Sequence, residues 1–183
     1  MSEAFQTISK AMLLELVYPI SEPLLPAIPH FRRRPKLLWL DTGLVNYAAG
    51  VQKELFLADD IQDVWRGRMS EHIVGQELIA NKLEVSAHRL FWHRDKQGSS
   101  AEVDFVCPYQ GLLIPIEVKT GHNAHLKSLH LYMDEAPHNI AVRVWSKPFS
   151  KDEVKTLKGK TIKLLNLPFY YVAQIEKILQ REI

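Results

Sequence analysis

The stretch AEVDFVCPYQGLLIPIEVK, residues 101–119, is the most informative part of this chain, because two strand-like runs that carry four charged residues flank a turn at residues 110–111. If the runs form an antiparallel hairpin around that turn, the register places Asp104 directly opposite Glu117. Two such residues have Cβ atoms about 4.5 to 5.5 Å apart, and like charges at this separation destabilise a sheet. The hairpin therefore predicts a carboxylate pair that needs compensation.

The same register places Glu102 opposite Lys119, so alternation puts all four charged side chains on one face of the hairpin. The opposite face is apolar, and we expect it to pack on a core. Its predicted members are Val103, Phe105, Cys107, Ile114, Ile116 and Val118.

Three kinds of compensation suit the carboxylate pair. The two groups could share a proton, Lys119 could neutralise them, or a divalent cation could bind the hard oxygen ligands. An exposed charge ladder, with Glu102 and Lys119 as an ordinary cross-strand ion pair, explains the same residues without any metal.

A third carboxylate, Glu77, lies in a predicted helix over residues 69–83 with an apolar stripe of Met69, Ile73, Ala80 and Leu83. At about 100° per residue, Glu77 is about 40° from Ile73 and about 60° from Ala80, so it is expected to point inward. An inward carboxylate requires a cation, a proton or a hydrogen-bond donor. Arg94 and backbone amides are the alternatives to a metal ion.

A helical glutamate followed by EVDF and, after a short hairpin, by IEVK resembles the PD-(D/E)XK nuclease superfamily. More narrowly, the chain resembles the uncharacterised carboxy-terminal domain of many bacterial and archaeal AAA-type ATPases. The resemblance covers about residues 36–183. It rests on five blocks, PKLLWLDTGLVNY (35–47), GQELIANKL (75–83), FWHR (91–94), AEVDFV (101–106) and PIEVKTG (115–121).

The resemblance implies that Glu77 is the helical acid, Asp104 the metal-bridging aspartate, Glu117 the second acid and Lys119 the catalytic lysine. Val103 stands where the superfamily has its proline, which is not a ligand. Mg²⁺, with Mn²⁺ as an alternative, would then be bound by Asp104, Glu117 and Glu77, with Glu102 and Arg94 in support.

The implied activity is metal-assisted hydrolysis of a phosphodiester in nucleic acid, DNA more than RNA. The alternative is an inactive nuclease-like module that contacts nucleic acid, a partner protein or an ATPase domain. The implied fold is α/β with a restriction-endonuclease-like core, in the order helix, three-strand meander, helix, strand. Residues 36–183 would form this domain, and residues 1–35 a winged-helix-like remnant with a proline-rich linker.

Composition sets only broad bounds. The 183 residues are 46% hydrophobic and carry a net charge of +2, which does not by itself predict nucleic-acid binding. The single cysteine, Cys107, excludes an internal disulfide and suits the cytoplasm, and the longest apolar stretches are too short to cross a membrane. The basic run at residues 32–34 is either a phosphate contact or a solvated loop.

The patterns predict the remaining elements as follows. Strands are expected at 36–40, 89–93, 102–107, 112–119, 140–145 and 161–165. Helices are expected at 4–16, from an Asp41-Thr42 cap to about 49, at 124–133 and from 171 onward.

Overall fold

The computed structural model describes residues 3–50, 68–81, 89–96, 99–119 and 125–183. Within these residues the chain forms a mixed α/β structure with one eight-stranded sheet. The strands are β1 (Leu14–Ile20), β2 (Lys36–Trp39), β3 (Leu90–Lys96), β4 (Ser99–Tyr109), β5 (Leu112–Val118), β6 (Ile140–Trp145), β7 (Ser150–Lys155) and β8 (Thr161–Pro168). The helices are α1 (Glu3–Lys10), α2 (Thr42–Ala49), α3 (Arg68–Ala80), α4 (Lys127–Glu135), a 3-10 helix (Phe169–Gln174) and α5 (Ile175–Glu182).

The strand order in the sheet is β2-β1-β3-β4-β5-β6-β8-β7. Strands β3, β4 and β5 form an antiparallel meander, whereas β6 pairs in parallel with both β5 and β8. β1 pairs in parallel with β3 and antiparallel with β2. The order α3, β3 to β5, α4, β6 follows the predicted succession of helix, three strands, helix and strand.

Hydrophobic clusters cover both faces of the sheet because buried residues alternate along its central strands. On one face, Val74 and Leu78 of α3 pack with α5 against alternate residues of β5 and β6. On the other face, Leu129, Tyr132 and Met133 of α4 pack against the intervening residues. The helices therefore cover the sheet on both sides, and the meander lies between α3 and α4.

The predicted hairpin register is confirmed between Phe105, paired with Ile116, and Tyr109, paired with Leu112. The turn has positive φ at Gln110 (45°) and Gly111 (79°), as a two-residue hairpin turn with matching twist requires. Cys107 is buried on the predicted apolar face.

One part of the predicted face is wrong, because β4 contains a bulge. On β3, Leu90 and Trp92 are two residues apart, but their partners Val106 and Val103 on β4 are three apart. The extra residue reverses the alternation. Val103 therefore packs in the α4 cluster, while Phe105 packs in the α3 cluster. Asp104 lies at the bulge.

The strands predicted at 36–40 and 140–145 are confirmed, and so is the helix capped by Asp41, whose Oδ1 accepts hydrogen bonds from the Gly43 and Leu44 amides. The helix predicted at 4–16 ends at Lys10, and β1 follows. Strand β7, SKDEVK, was not predicted because its polar residues give only a weak alternation.

The chain before Lys36 contributes β1 to the sheet, where it lies between β2 and β3. The division at residue 35 stays a prediction, although it coincides with no break in the sheet. No helix in the described ranges is long and apolar enough to cross a membrane.

Candidate functional site

Asp104 and Glu117 approach each other where the bulge of β4 meets the end of β5. Asp104 Oδ2 accepts a hydrogen bond of 2.8 Å from the Val118 amide, which ties its carboxylate to the strand that carries Glu117. Asp104 is mostly buried, with 13% of its side chain exposed. The two carboxylates are close enough for the charge of Asp104 to raise the pKa of Glu117.

Glu117 is the most buried carboxylate of the site, at 3% exposure. Burial and the charge of Asp104 raise its pKa to about 7, against the opposing effect of Lys119. Lys119 Nζ lies 2.6 Å from Glu117 Oε1, whereas the buried Glu117 Oε2 has no hydrogen-bond partner among the described residues. An unpartnered buried oxygen is costly, and it indicates a place for a donor or cation.

Lys36, at the start of β2, places its ammonium among three carboxylates. Nζ lies 2.7 Å from Glu102 Oε1, 3.3 Å from Asp104 Oδ1 and 3.4 Å from Glu71 Oε2. Burial alone would lower the pKa of Lys36, but Asp104, Glu71 and Glu102 together raise it well above its usual value. Lys36 is therefore the internal counter-charge of the cluster.

Glu71 is the helical acid of this cluster. On α3 it lies about 40° around the axis from Gly75 and about 20° from Leu78, and both of these residues are buried. Burial and the charge of Asp104 raise the pKa of Glu71, while Lys36 opposes the shift. The first turn of α3 thus places a carboxylate over the bulge of β4.

The predicted inward position of Glu77 is wrong. Ile73 and Ala80, the two stripe residues nearest to Glu77 around the helix, are exposed, and the buried face of α3 carries Val74, Gly75 and Leu78 instead. Glu77 is half-buried, and it forms no ion pair with any described residue of the cluster. Leu83, the last residue of the predicted stripe, lies outside the described residues.

Glu102 and Arg94 make contacts other than those expected. Strand β5 ends at Val118, and Glu102 pairs with His93 on β3, so its carboxylate meets Lys36 and not Lys119. The expected Glu102 to Lys119 ion pair is therefore wrong. Arg94 Nη1 donates to Glu135 Oε1 at 2.8 Å and supports α4 instead of Glu77.

The donor chemistry of this cluster fits a divalent ion, because carboxylate oxygens are the ligands that Mg²⁺ prefers and Glu117 Oε2 has no hydrogen-bond partner among the residues that the structure describes. In the part of the chain that the structure describes, however, no three His, Cys, Asp or Glu side chains are arranged to hold a metal ion as they stand. Instead, the ammonium of Lys36 lies where the carboxylates of Glu71, Glu102 and Asp104 converge.

Sequence reasoning missed Lys36 and Glu71. Lys36 precedes Asp104 by 68 residues, and only the pairing of β1 with both β2 and β3 brings the two together. A signal for Glu71 was present, since the triplet of Val74, Gly75 and Leu78 defines an alternative inward stripe at helical spacing.

One protein-family profile matches residues 66–170, more than half of the chain, and it describes a domain of unknown function, DUF4143. No curated protein and no solved structure matches the chain.

Proposed function

Because the chain belongs to the DUF4143 family, an uncharacterised domain commonly found with ATPases, its activity must be inferred from its own residues, and we propose a Mg²⁺-dependent nuclease. It would hydrolyse phosphodiester bonds of nucleic acid, DNA more than RNA. The observation that carries this proposal is the meeting of Asp104, Glu117 and Lys119 around a buried, unpartnered carboxylate oxygen.

Asp104 and Glu117 would hold the ion, with Glu71 completing the acidic set in the place expected for Glu77. Bound there, Mg²⁺, or Mn²⁺ in its place, would lower the pKa of a water ligand and neutralise charge on the phosphate. Lys36 would leave the cluster, because its ammonium and the ion compete for the carboxylates of Glu71 and Asp104.

Lys119 would orient the attacking water and stabilise the phosphate oxygens through its ammonium. In this hydrolysis the water oxygen forms a new bond to phosphorus, the bond to the leaving sugar oxygen breaks, and the water proton passes to that oxygen. The Glu117 carboxylate keeps the ammonium of the half-buried Lys119 charged, since burial lowers the pKa of Lys119 but the neighbouring carboxylates, Glu117 above all, raise it by more.

We also propose that residues 68–145 form a restriction-endonuclease-like core. The succession of α3, the β3 to β5 meander, α4 and β6 supports this interpretation, as does the parallel pairing of β5 with β6. We propose an ATPase domain as a partner, because domains of this family are commonly found with ATPases. A cytoplasmic location remains a prediction from the single cysteine.

A binding or regulatory module without catalysis is the second candidate. It is favoured by Lys36, which already supplies a positive charge to three carboxylates, so that the fold does not require an ion. In this role the chain would contact nucleic acid, a partner protein or an ATPase domain through the same surface.

The test is cleavage of plasmid DNA, single-stranded DNA and RNA in Mg²⁺ and in Mn²⁺. We expect the wild-type chain to cleave, and Asp104→Asn and Glu71→Gln to lose at least about a hundredfold in rate. Glu77→Gln is the matched control, because it makes the same chemical change on the same helix outside the cluster. A wild-type chain that cleaves none of the three substrates would favour the second candidate.

A further inference from the structure

A cavity of about 430 Å³ adjoins the carboxylate cluster. Its lining includes Arg33, Arg34 and His93 on one side and Glu102 on another. Glu102 also contacts Lys36, and the ammonium of Lys36 lies 5.1 Å from the ring centroid of Phe91, another wall residue. The cavity therefore leads from the acidic cluster to a basic wall.

The segment that carries the arginines is held in place and is not a free solvated loop. The His30 amide donates to the Pro19 carbonyl at 2.9 Å, and the His30 ring bonds to the Ser21 hydroxyl at 2.9 Å. Phe31 packs edge-on against Tyr18 with ring centroids 4.9 Å apart. These contacts fix the segment to β1.

Arg33 is further fixed to the sheet by Nη1, which lies 3.1 Å from His93 Nδ1. Because a guanidinium only donates, His93 Nδ1 is the acceptor of this hydrogen bond. Neither Arg33 nor Arg34 forms an ion pair with a carboxylate in the described ranges, and both are exposed. Two uncompensated guanidinium groups thus line the cavity, and that of Arg33 is positioned by His93.

Guanidinium groups in this state suit phosphate, which they bind through two parallel hydrogen bonds. Resting on the proposed nuclease function, we propose that this cavity holds the sugar-phosphate backbone of a DNA strand next to the scissile phosphate. Arg33 and Arg34 bind the flanking phosphates, and the acidic cluster receives the phosphate that reacts. The binding is independent of sequence because the contacts go to the backbone.

The experiment measures fluorescence anisotropy of a labelled DNA oligonucleotide in EDTA, where binding is separated from cleavage, over a series of salt concentrations. Replacing Arg33 and Arg34 together by Gln is expected to weaken binding about tenfold or more at low salt. It should also reduce the slope of log K against log salt by about 2 in magnitude, or about 0.9 for each lost phosphate contact.

Arg32→Gln is the matched control. Arg32 lies in the same segment and lines a neighbouring cavity, which Arg33 and Arg34 also line, but it does not line the cavity beside the acidic cluster, so its loss should leave the slope unchanged. The same dependence with an RNA of equal length would support backbone recognition. Equal competition by polyglutamate would overturn it, because an acidic peptide lacks phosphodiesters.

The proposal fails if the wild-type chain does not bind DNA, if the double variant binds with an unchanged slope, or if Arg32→Gln weakens binding equally. The nuclease proposal can fail independently. If the double variant loses DNA binding but the wild-type chain never cleaves DNA, the result supports the phosphate-binding cavity and contradicts the nuclease proposal. If the wild-type chain cleaves DNA and the double variant cleaves it equally well, the result contradicts the phosphate-binding cavity and supports the nuclease proposal.

Discussion

Lys36 supplies the positive charge at the centre of the carboxylate cluster. Its ammonium contacts carboxylates from α3 and β4, which would otherwise repel one another. Removing one partner of a buried ion pair leaves uncompensated charge, and this costs more than the pair itself contributes. If the cluster binds the proposed divalent ion, the ion would replace this ammonium, and in either state a positive charge would offset the carboxylates.

Lys36→Met should lower the free energy of unfolding in EDTA by about 2–3 kcal/mol, because Glu71, Glu102 and Asp104 lose their counter-charge. Saturating Mg²⁺ should restore most of this loss, and the variant should bind Mg²⁺ more tightly than the wild-type chain. Urea unfolding with and without Mg²⁺ measures both effects. Lys155→Met, a change at an exposed position of β7, is the control. If Mg²⁺ does not stabilise the Lys36 variant, the ammonium of Lys36 and Mg²⁺ do not compete for the same carboxylates.

Glu117 gives the metal-free chain a stability that depends on pH. Its folded pKa is raised to about 7 from an ordinary 4.5, so the folded state holds the proton more tightly than the unfolded state. Stability contributed in this way is present below about pH 4.5 and is lost as the pH rises to about 7. Glu117→Gln should flatten this decline in thermal unfolding followed in EDTA from pH 4.5 to 8. An unchanged decline would show that other groups cause it.

At the scale of elements, the close approach of α3 to the sheet positions Glu71. A Cβ built on Gly75 would lie 2.7 Å from Leu38 Cδ1 and 3.4 Å from Phe105 Cζ. A larger residue at this position would require the buried Leu38 side chain to shift or the helix to move away from β2. Because Glu71 lies one turn before Gly75 on α3, we expect this close contact to influence the distance between Glu71 and Asp104.

Gly75→Val should move α3 outward and destabilise the chain by about 1–3 kcal/mol through overpacking. The displaced Glu71 should weaken Mg²⁺ binding several-fold in calorimetry, even where the variant is fully folded. Ala80→Val, at an exposed position of the same helix, makes a similar β-branched change without the clash. If the two variants bind Mg²⁺ equally well, the distance of α3 from the sheet does not determine Mg²⁺ binding.

The elements also show what the sequence could and could not predict. The hairpin of β4 and β5 was predictable because Gln110-Gly111 and the flanking alternation determine its register locally. The bulge at Asp104 was not, since it depends on pairing with β3. The wrong choice of Glu77 over Glu71 arose because α3 has more than one candidate apolar stripe, and only packing against Leu38 and Phe105 selects between them.

At the scale of the whole molecule, the site draws on widely separated parts of the chain. β2 carries Lys36, α3 carries Glu71 and the meander carries the other acids, and β1 joins β2 to the rest of the sheet. Such long-range pairing leaves no local pattern in the sequence. The hairpin of β4 and β5 could therefore be predicted from its local pattern, whereas the contact of Lys36 with Asp104, 68 residues away, could not.

A chain that begins at Lys36 should lose this arrangement, because β2 pairs with β1 alone in the described sheet. We expect it to unfold at a lower temperature than the full chain and to lose hydrogen-exchange protection in β2. A chain that begins at Leu13 removes α1, which buries no residue, and should keep both properties. Equal stability of the two truncated chains would support an independent unit from residue 36 onward.

Titration calorimetry with Mg²⁺ measures whether the carboxylate cluster binds a divalent ion, as we propose. We expect saturable binding to the wild-type chain and to Glu77→Gln, and at least about tenfold weaker binding to Asp104→Asn and Glu71→Gln. Absence of binding to the folded wild-type chain, or equal binding by all four proteins, would contradict this proposal.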